Sequence, residues 1–296
     1  MEILSRAPGE VSPADAVIEE HWLPMAGGRM RYLKTGSGPA LILVHGLMGY
    51  SFSWRFTMPA LAPYATVYAV DNLGAGLSPA PDRMDCTVRA TAERLLQFAG
   101  ALGLGEFDLL GTSHGGAVAM MAAAFAADRP VPTVRRLILV APVNPWSPHG
   151  KTLAPFLVTP LGSFVFRSTI ERFRELDYLW LRRLFANGSR IPADSLPGYR
   201  IPVIKNHGFR HASNIVKTWL PDLADLKSVL PKIRDYPTLL VWGTMDRAVS
   251  FSSAEPLRKN FTHARLVAFK GVGHLPYEEC PEEFNRALID FLTSPQ

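Results

Sequence analysis

The chain has 296 residues, 48% of them hydrophobic and 19% charged, a composition typical of a globular protein able to bury a core. Its formal net charge is only +5, and no basic stripe interleaved with aromatics argues for a nucleic-acid partner. The two cysteines, Cys86 and Cys280, lack the paired spacing of a zinc site or a disulfide framework, so no metal is expected and a reducing compartment is.

The N-terminal stretch "MEILSRAPGEVSPADAVIEE" carries acids and prolines where a signal peptide has a basic start and an apolar core. The longest nearly charge-free run in the middle of the chain, "TLAPFLVTPLGSFVF", is broken by prolines and falls short of the roughly 18 apolar residues of a membrane helix. The expectation is a cytoplasmic protein without a transmembrane segment.

In chain order, "EEHWLPM" and "RMRYLKTG" flank Gly27 and Gly28 and read as an antiparallel hairpin at a sheet edge. The runs "ALILVHG", "TVYAVD", "FDLLGTS", "RRLILVAP", "TLLVWG" and "ARLVAF" are rich in Leu, Val and Ile without alternation, as strands covered on both faces are. Helical stretches lie between them. "VRATAERLLQFAGALG" carries an apolar stripe at three- and four-residue steps and stops on glycine. "GGAVAMMAAAFAADRP" is alanine-rich and ends at proline, while "SSAEPLRKNF" and "PEEFNRALIDFL" open with helix-start residues. Alternation of this kind predicts an α/β fold, a mostly parallel twisted sheet with helices on both faces.

The alternation stops between Pro142 and Leu230. This stretch has twelve Lys/Arg against six Asp/Glu and no buried-strand run, but helical pieces such as "TIERFRELDYLWLRRLF" and "HASNIVKTWLPDL". Residues 142–230 are therefore expected to form a helical cap over the C-terminal ends of the strands, where ligands bind in such sheets. Residues 1–141 and 231–296 form the core. The basic surplus is either a solvated helix surface or a mouth that attracts anions.

"GTSHGG" supplies the chemistry. Ser113 stands in a G-x-S-x-G pentapeptide between a strand and a helix of small residues, the context of a nucleophile on a strained turn. A serine nucleophile needs a base. The adjacent His114 points away on such a turn and is more useful through its backbone N–H as an oxyanion donor. His274 in "GVGH" and Asp246 in "WGTMD" both follow predicted strands, at the sheet edge where Ser113 sits. The order Ser, Asp, His along the chain is that of one particular triad fold.

From about residue 20 to the C-terminus the chain resembles the α/β-hydrolase superfamily, in its serine esterase and lipase-like branch. The resemblance rests on "HGLMGYSFSW", "DNLGAGLS", "GTSHGG", "WGTMD" and "GVGH". It implies Ser113 as nucleophile, Asp246 as acid, His274 as base, and the N–H groups of Leu47 and His114 as the oxyanion hole. His45 and Asp71 in these motifs are expected to shape loops. No cofactor is implied. Relatives that cleave epoxides or haloalkanes use an aspartate nucleophile, which Ser113 disfavours. The expected activity is hydrolysis of small or medium acyl esters. A carbon–carbon hydrolase of ring-cleavage products, a perhydrolase, an acyltransferase and a small-molecule receptor remain as alternatives.

Overall fold

The computed structural model describes residues 16–79, 81, 83–147 and 175–294 except 206 and 207, with six further positions between 156 and 165. The run "TLAPFLVTPLGSFVF" lies largely outside the described residues. Eight strands, β1 (Glu19–Met25), β2 (Gly28–Thr35), β3 (Ala40–Val44), β4 (Thr66–Val70), β5 (Glu106–Thr112), β6 (Thr133–Val140), β7 (Thr238–Gly243) and β8 (Ala264–Phe269), form one sheet. Its order is β1-β2-β4-β3-β5-β6-β7-β8. The expected hairpin is β1–β2, turned at Gly27 with φ +88°. It joins β4 antiparallel, and from β4 to β8 every pairing is parallel.

The central strands lack alternation because both of their faces are covered. In β3, Ile42 and Val44 pack into one core with α2 (Val88–Ala101) and α3 (His114–Ala126). Leu41 and Leu43 pack into another with Trp54, Phe284 and Leu288. The last strand departs from the expectation. Among the described residues only β7 flanks β8, and none of its residues is fully buried: Arg265 and Ala268 are exposed and the other four half-buried. Helix α2 opens where the Thr87 hydroxyl accepts the Ala90 N–H at 3.1 Å, and the chain turns off it at Gly103, φ +70°.

Between the parallel neighbours β6 and β7 lies a helical insertion whose described helices are α4 (Glu175–Leu184), α5 (Ser195–Lys205), α6 (Gly208–Lys217) and α7 (Trp219–Val229). "HASNIVKTWLPDL" reads as one helix but forms two, parted at Thr218. Pro221 falls in the first turn of α7, where a missing N–H leaves no bond unmade. Helix α5 has no sequence signal, since it contains Pro197, Gly198 and Pro202. Among the described residues no helix is long and apolar enough to cross a membrane.

Tertiary bonds hold α5 against its own propensity. Glu278, fully buried in α9 (Pro276–Glu279), meets Arg55 at 3.2 Å. It also accepts the Ser195 hydroxyl at 2.7 Å and a bond from the Tyr199 hydroxyl. Burial and the Glu278 charge push the Tyr199 phenol well above its ordinary range, so it remains a donor. Arg55 also reaches Asp194 at 2.7 Å, and the Tyr50 hydroxyl donates to the Gly198 carbonyl at 3.0 Å. Glu278→Ala removes the hub of this network while leaving Arg55 largely buried. It should lower the urea unfolding free energy by about 3 kcal/mol and speed limited proteolysis between β6 and β7.

Candidate functional site

Ser113 links β5 to α3 with φ 53° and ψ −121°, a left-handed geometry that costs a non-glycine residue about 1–3 kcal/mol. The ends of the neighbouring strands clamp it. Its N–H donates to the Val140 carbonyl at 2.9 Å, and its carbonyl accepts the Val143 N–H at 2.9 Å. Two residues to either side of Ser113, at Gly111 and Gly115, there is no room for a side chain. A Cβ at Gly111 would strike the Gly115 carbonyl, and one at Gly115 would strike the carbonyls of Val44 and His45.

The turn after β3 approaches from the other side. A Cβ at Gly46 would lie 3.1 Å from Ser113 Cβ. The Gly49 N–H donates to the Gly46 carbonyl at 3.0 Å, with Met48 at φ 60°, where such a turn ordinarily takes glycine. Leu47 thus sits beside Ser113 in the lining of one cavity. His114 is the first residue of α3, so its N–H has no intrahelical acceptor.

Asp246 follows β7, and its Oδ1 accepts the N–H groups of Ala248 and Val249 at 2.8 and 2.9 Å. Its Oδ2 lies 2.7 Å from Nδ1 of His274. Both side chains are almost wholly buried, which leaves Nε2 as the second nitrogen of the ring. The loop carrying His274 is fastened to the insertion. The His274 N–H donates to the Leu184 carbonyl at 2.7 Å, and Glu279 accepts the N–H groups of Gly273, Ala186 and Asn187.

Ser113, His274 and Leu47 line a cavity of about 380 Å³, within the usual range for small-molecule sites. Its walls include Val143, Trp180, Leu181, Val216, Trp219 and Leu223, mostly from the insertion. Thus Asp246 and His274 are in direct contact, and Ser113 lines the same cavity as His274. Among the described residues its hydroxyl makes no hydrogen bond. The ring of His114 goes elsewhere: it stacks on Trp219 with centroids 6.2 Å apart and borders a separate void. His45 and Asp71 hold loops. His45 spans the Gly46 carbonyl and the Asn72 N–H, and Asp71 is buried against Arg31, Ser51 and Leu77. Among the described residues no group of three or more His, Cys, Asp or Glu is placed to hold a metal ion.

Residues 39–281 match the family model of the alpha/beta hydrolase fold. The chain belongs to the α/β-hydrolase fold family. It is 29% identical over 285 residues to haloalkane dehalogenase 2 of Mycobacterium tuberculosis, covering 92% of this chain and 94% of that protein. It is 27% identical over 260 residues to the pimeloyl-[acyl-carrier protein] methyl ester esterase of Nitrosomonas europaea, covering 84% and 94%. Among solved structures it is similar to a membrane phospholipase A, with a TM-score of 0.73, 28% identity, and 93% and 86% of the two chains covered.

The residues that sequence reasoning missed are Glu278 and Glu279. Two acids directly after "LPY" were the available signal, because acids in such a setting are buried only when bonded.

Burial drives the His114 ring down to about 3, below the 6.5 of an exposed histidine. The unfolded chain therefore takes up this proton first, so the stability His114 contributes is present above pH 6.5 and lost as pH falls toward 3. Thermal unfolding followed from pH 7 to pH 4 should show stability falling by up to about 1.4 kcal/mol per pH unit from this group. His114→Gln should flatten the slope.

Proposed function

We propose that this α/β-hydrolase cleaves carboxylic esters of small or medium acyl groups through a Ser113–His274–Asp246 triad. The observation that carries the reading is the 2.7 Å contact between His274 and Asp246 at the cavity that also holds Ser113 on its strained turn. Asp246 fixes the tautomer with Nδ1 protonated, so Nε2 can accept the Ser113 proton as the hydroxyl attacks a carbonyl. The hydroxyl and Nε2 come into hydrogen-bonding reach as substrate binds, since such bonds tighten on the way to the transition state.

Negative charge then develops on the carbonyl oxygen. The N–H groups of Leu47 and His114 are its proposed donors, held in place before the reaction begins. The alcohol departs with the proton from His274, leaving an acyl-enzyme on Ser113, and water activated by the same histidine releases the acid. The apolar walls suit an acyl chain, and the cavity volume sets its scale. A serine at position 113 speaks against the halide displacement that the dehalogenase relative is named for, because its oxygen lacks the carboxylate carbonyl that water attacks in an aspartyl ester. The relative named as a methyl ester esterase accords with the ester reading.

A second reading has one observation in its favour. Arg183 and Arg247 stand exposed in the lining of the cavity and would suit the carboxylate of a ring-cleavage product cut at a carbon–carbon bond.

Turnover of p-nitrophenyl esters of increasing acyl length tests the first reading. Activity should peak at one chain length, and Ser113→Ala should lower kcat by about 10⁴ to 10⁶. Equal rates for a folded Ser113→Ala and the parent would exclude it, and turnover of dienone substrates alone would select the second.

A further inference from the structure

Val143, Trp219 and Leu223 border two spaces at once. One is the cavity of Ser113, and the other is a void of about 10 Å³ between α3 and α7. Most of that void's lining is apolar, but His114, Trp219 and Asp222 also face it. His114 and Asp222 are 96% and 93% buried, at 4% and 7% exposure. His114 Nε2, Trp219 Nε1 and Asp222 Oδ2 each lack a hydrogen-bond partner among the described residues.

The other bonds nearby are accounted for. Asp222 Oδ1 accepts the Val88 N–H at 3.1 Å. The Thr218 hydroxyl donates to the Ile215 carbonyl at 3.0 Å and also lies against the Asp222 carboxylate, where it favours the charged form. Leaving a buried polar atom unpaired costs about 1–3 kcal/mol, so three of them on residues that line one small void point to something within it.

Size and chemistry name the occupant. The volume matches the roughly 10–15 Å³ that a single water needs and excludes anything larger. An indole N–H only donates, a carboxylate oxygen only accepts, and the ring of a neutral histidine accepts at the nitrogen without a proton. A water takes the Trp219 proton on its oxygen and donates its two hydrogens to Asp222 Oδ2 and His114 Nε2. Those three bonds are the usual complement of a buried water. A cation fits poorly, because the indole N–H would point at it.

We propose that one ordered water fills this void and bonds His114 Nε2, Trp219 Nε1 and Asp222 Oδ2, tying α7 of the insertion to the first turn of α3. That turn carries Ser113 and the N–H of His114. Asp222 is then a positioning residue for the elbow, acting through the water and His114 without touching substrate. Only its effect on turnover rests on the ester reading above.

A high-resolution crystal structure tests the site without any activity. One density peak within hydrogen-bonding distance of all three atoms is the expected result. An empty void, or side chains bonded directly to one another, overturns the proposal. The positioning role is read from two variants of Asp222, a residue outside the Ser113 cavity lining. Asp222→Leu should lower kcat for the best ester about tenfold with KM within twofold. Asp222→Asn keeps polar atoms on both the Val88 and the water side and should restore near-parental kcat. A folded Asp222→Leu with unchanged kcat overturns the positioning role, as does Asp222→Asn matching Asp222→Leu. Should the parent hydrolyse no ester, the ester reading falls while the crystallographic result still decides the water.

Discussion

A left-handed backbone angle at a residue that carries a side chain holds only if its surroundings permit no other path, and at Ser113 they do not. The peptide before it is bonded to the end of β6, and its carbonyl to Val143 just beyond β6. The following turn presses Gly115 against the end of β3. The strain of about 1–3 kcal/mol is thus spread over three parallel strands. This explains why the middle of the sheet must be both parallel and fully covered. Everything else at the site is arranged around that fixed point: the Gly46–Gly49 turn on one side, and the loops after β7 and β8 on the other.

The insertion is more than a roof over this point. Two successive acids at the end of α9 face different parts of it. Glu278 anchors α5 through Ser195 and Tyr199, and Glu279 anchors the segment after α4 through Ala186 and Asn187. Glu279 also takes the N–H of Gly273, beside His274. The proposed base and the cavity walls are therefore built on one rigid unit, so a change in the insertion reaches the histidine loop through only a few bonds. Buried acids contribute this way only when each oxygen is paired, and here each oxygen is.

What the sequence disclosed follows the range of the forces involved. The central strands were legible because two-sided burial demands continuous Leu, Val and Ile. The elbow was legible because Gly111 and Gly115 have no substitute. Asp246 and His274 could be placed because they directly follow strands, and strand ends define one edge of the sheet. Helix α5 was not legible, since Pro197, Gly198 and Pro202 argue against a helix and its stability comes from Glu278, about eighty positions away in the chain. The break at Thr218 hid in a helical period that runs through it. The partial exposure of β8 reflects its place at the end of the sheet, with only β7 beside it among the described residues, which "ARLVAF" does not encode. Met48 carries a positive φ that nothing in its identity announces, because the constraint comes from the turn against Ser113.

The central claim is that Ser113 is a nucleophile activated by His274. Its most direct measurement is labelling of the folded chain with a fluorophosphonate, followed by peptide mass spectrometry. The account predicts one adduct per chain, on the peptide containing Ser113, formed far more slowly in His274→Ala although that variant remains folded. An unlabelled Ser113, an adduct at another residue, or equal labelling without the histidine would contradict it.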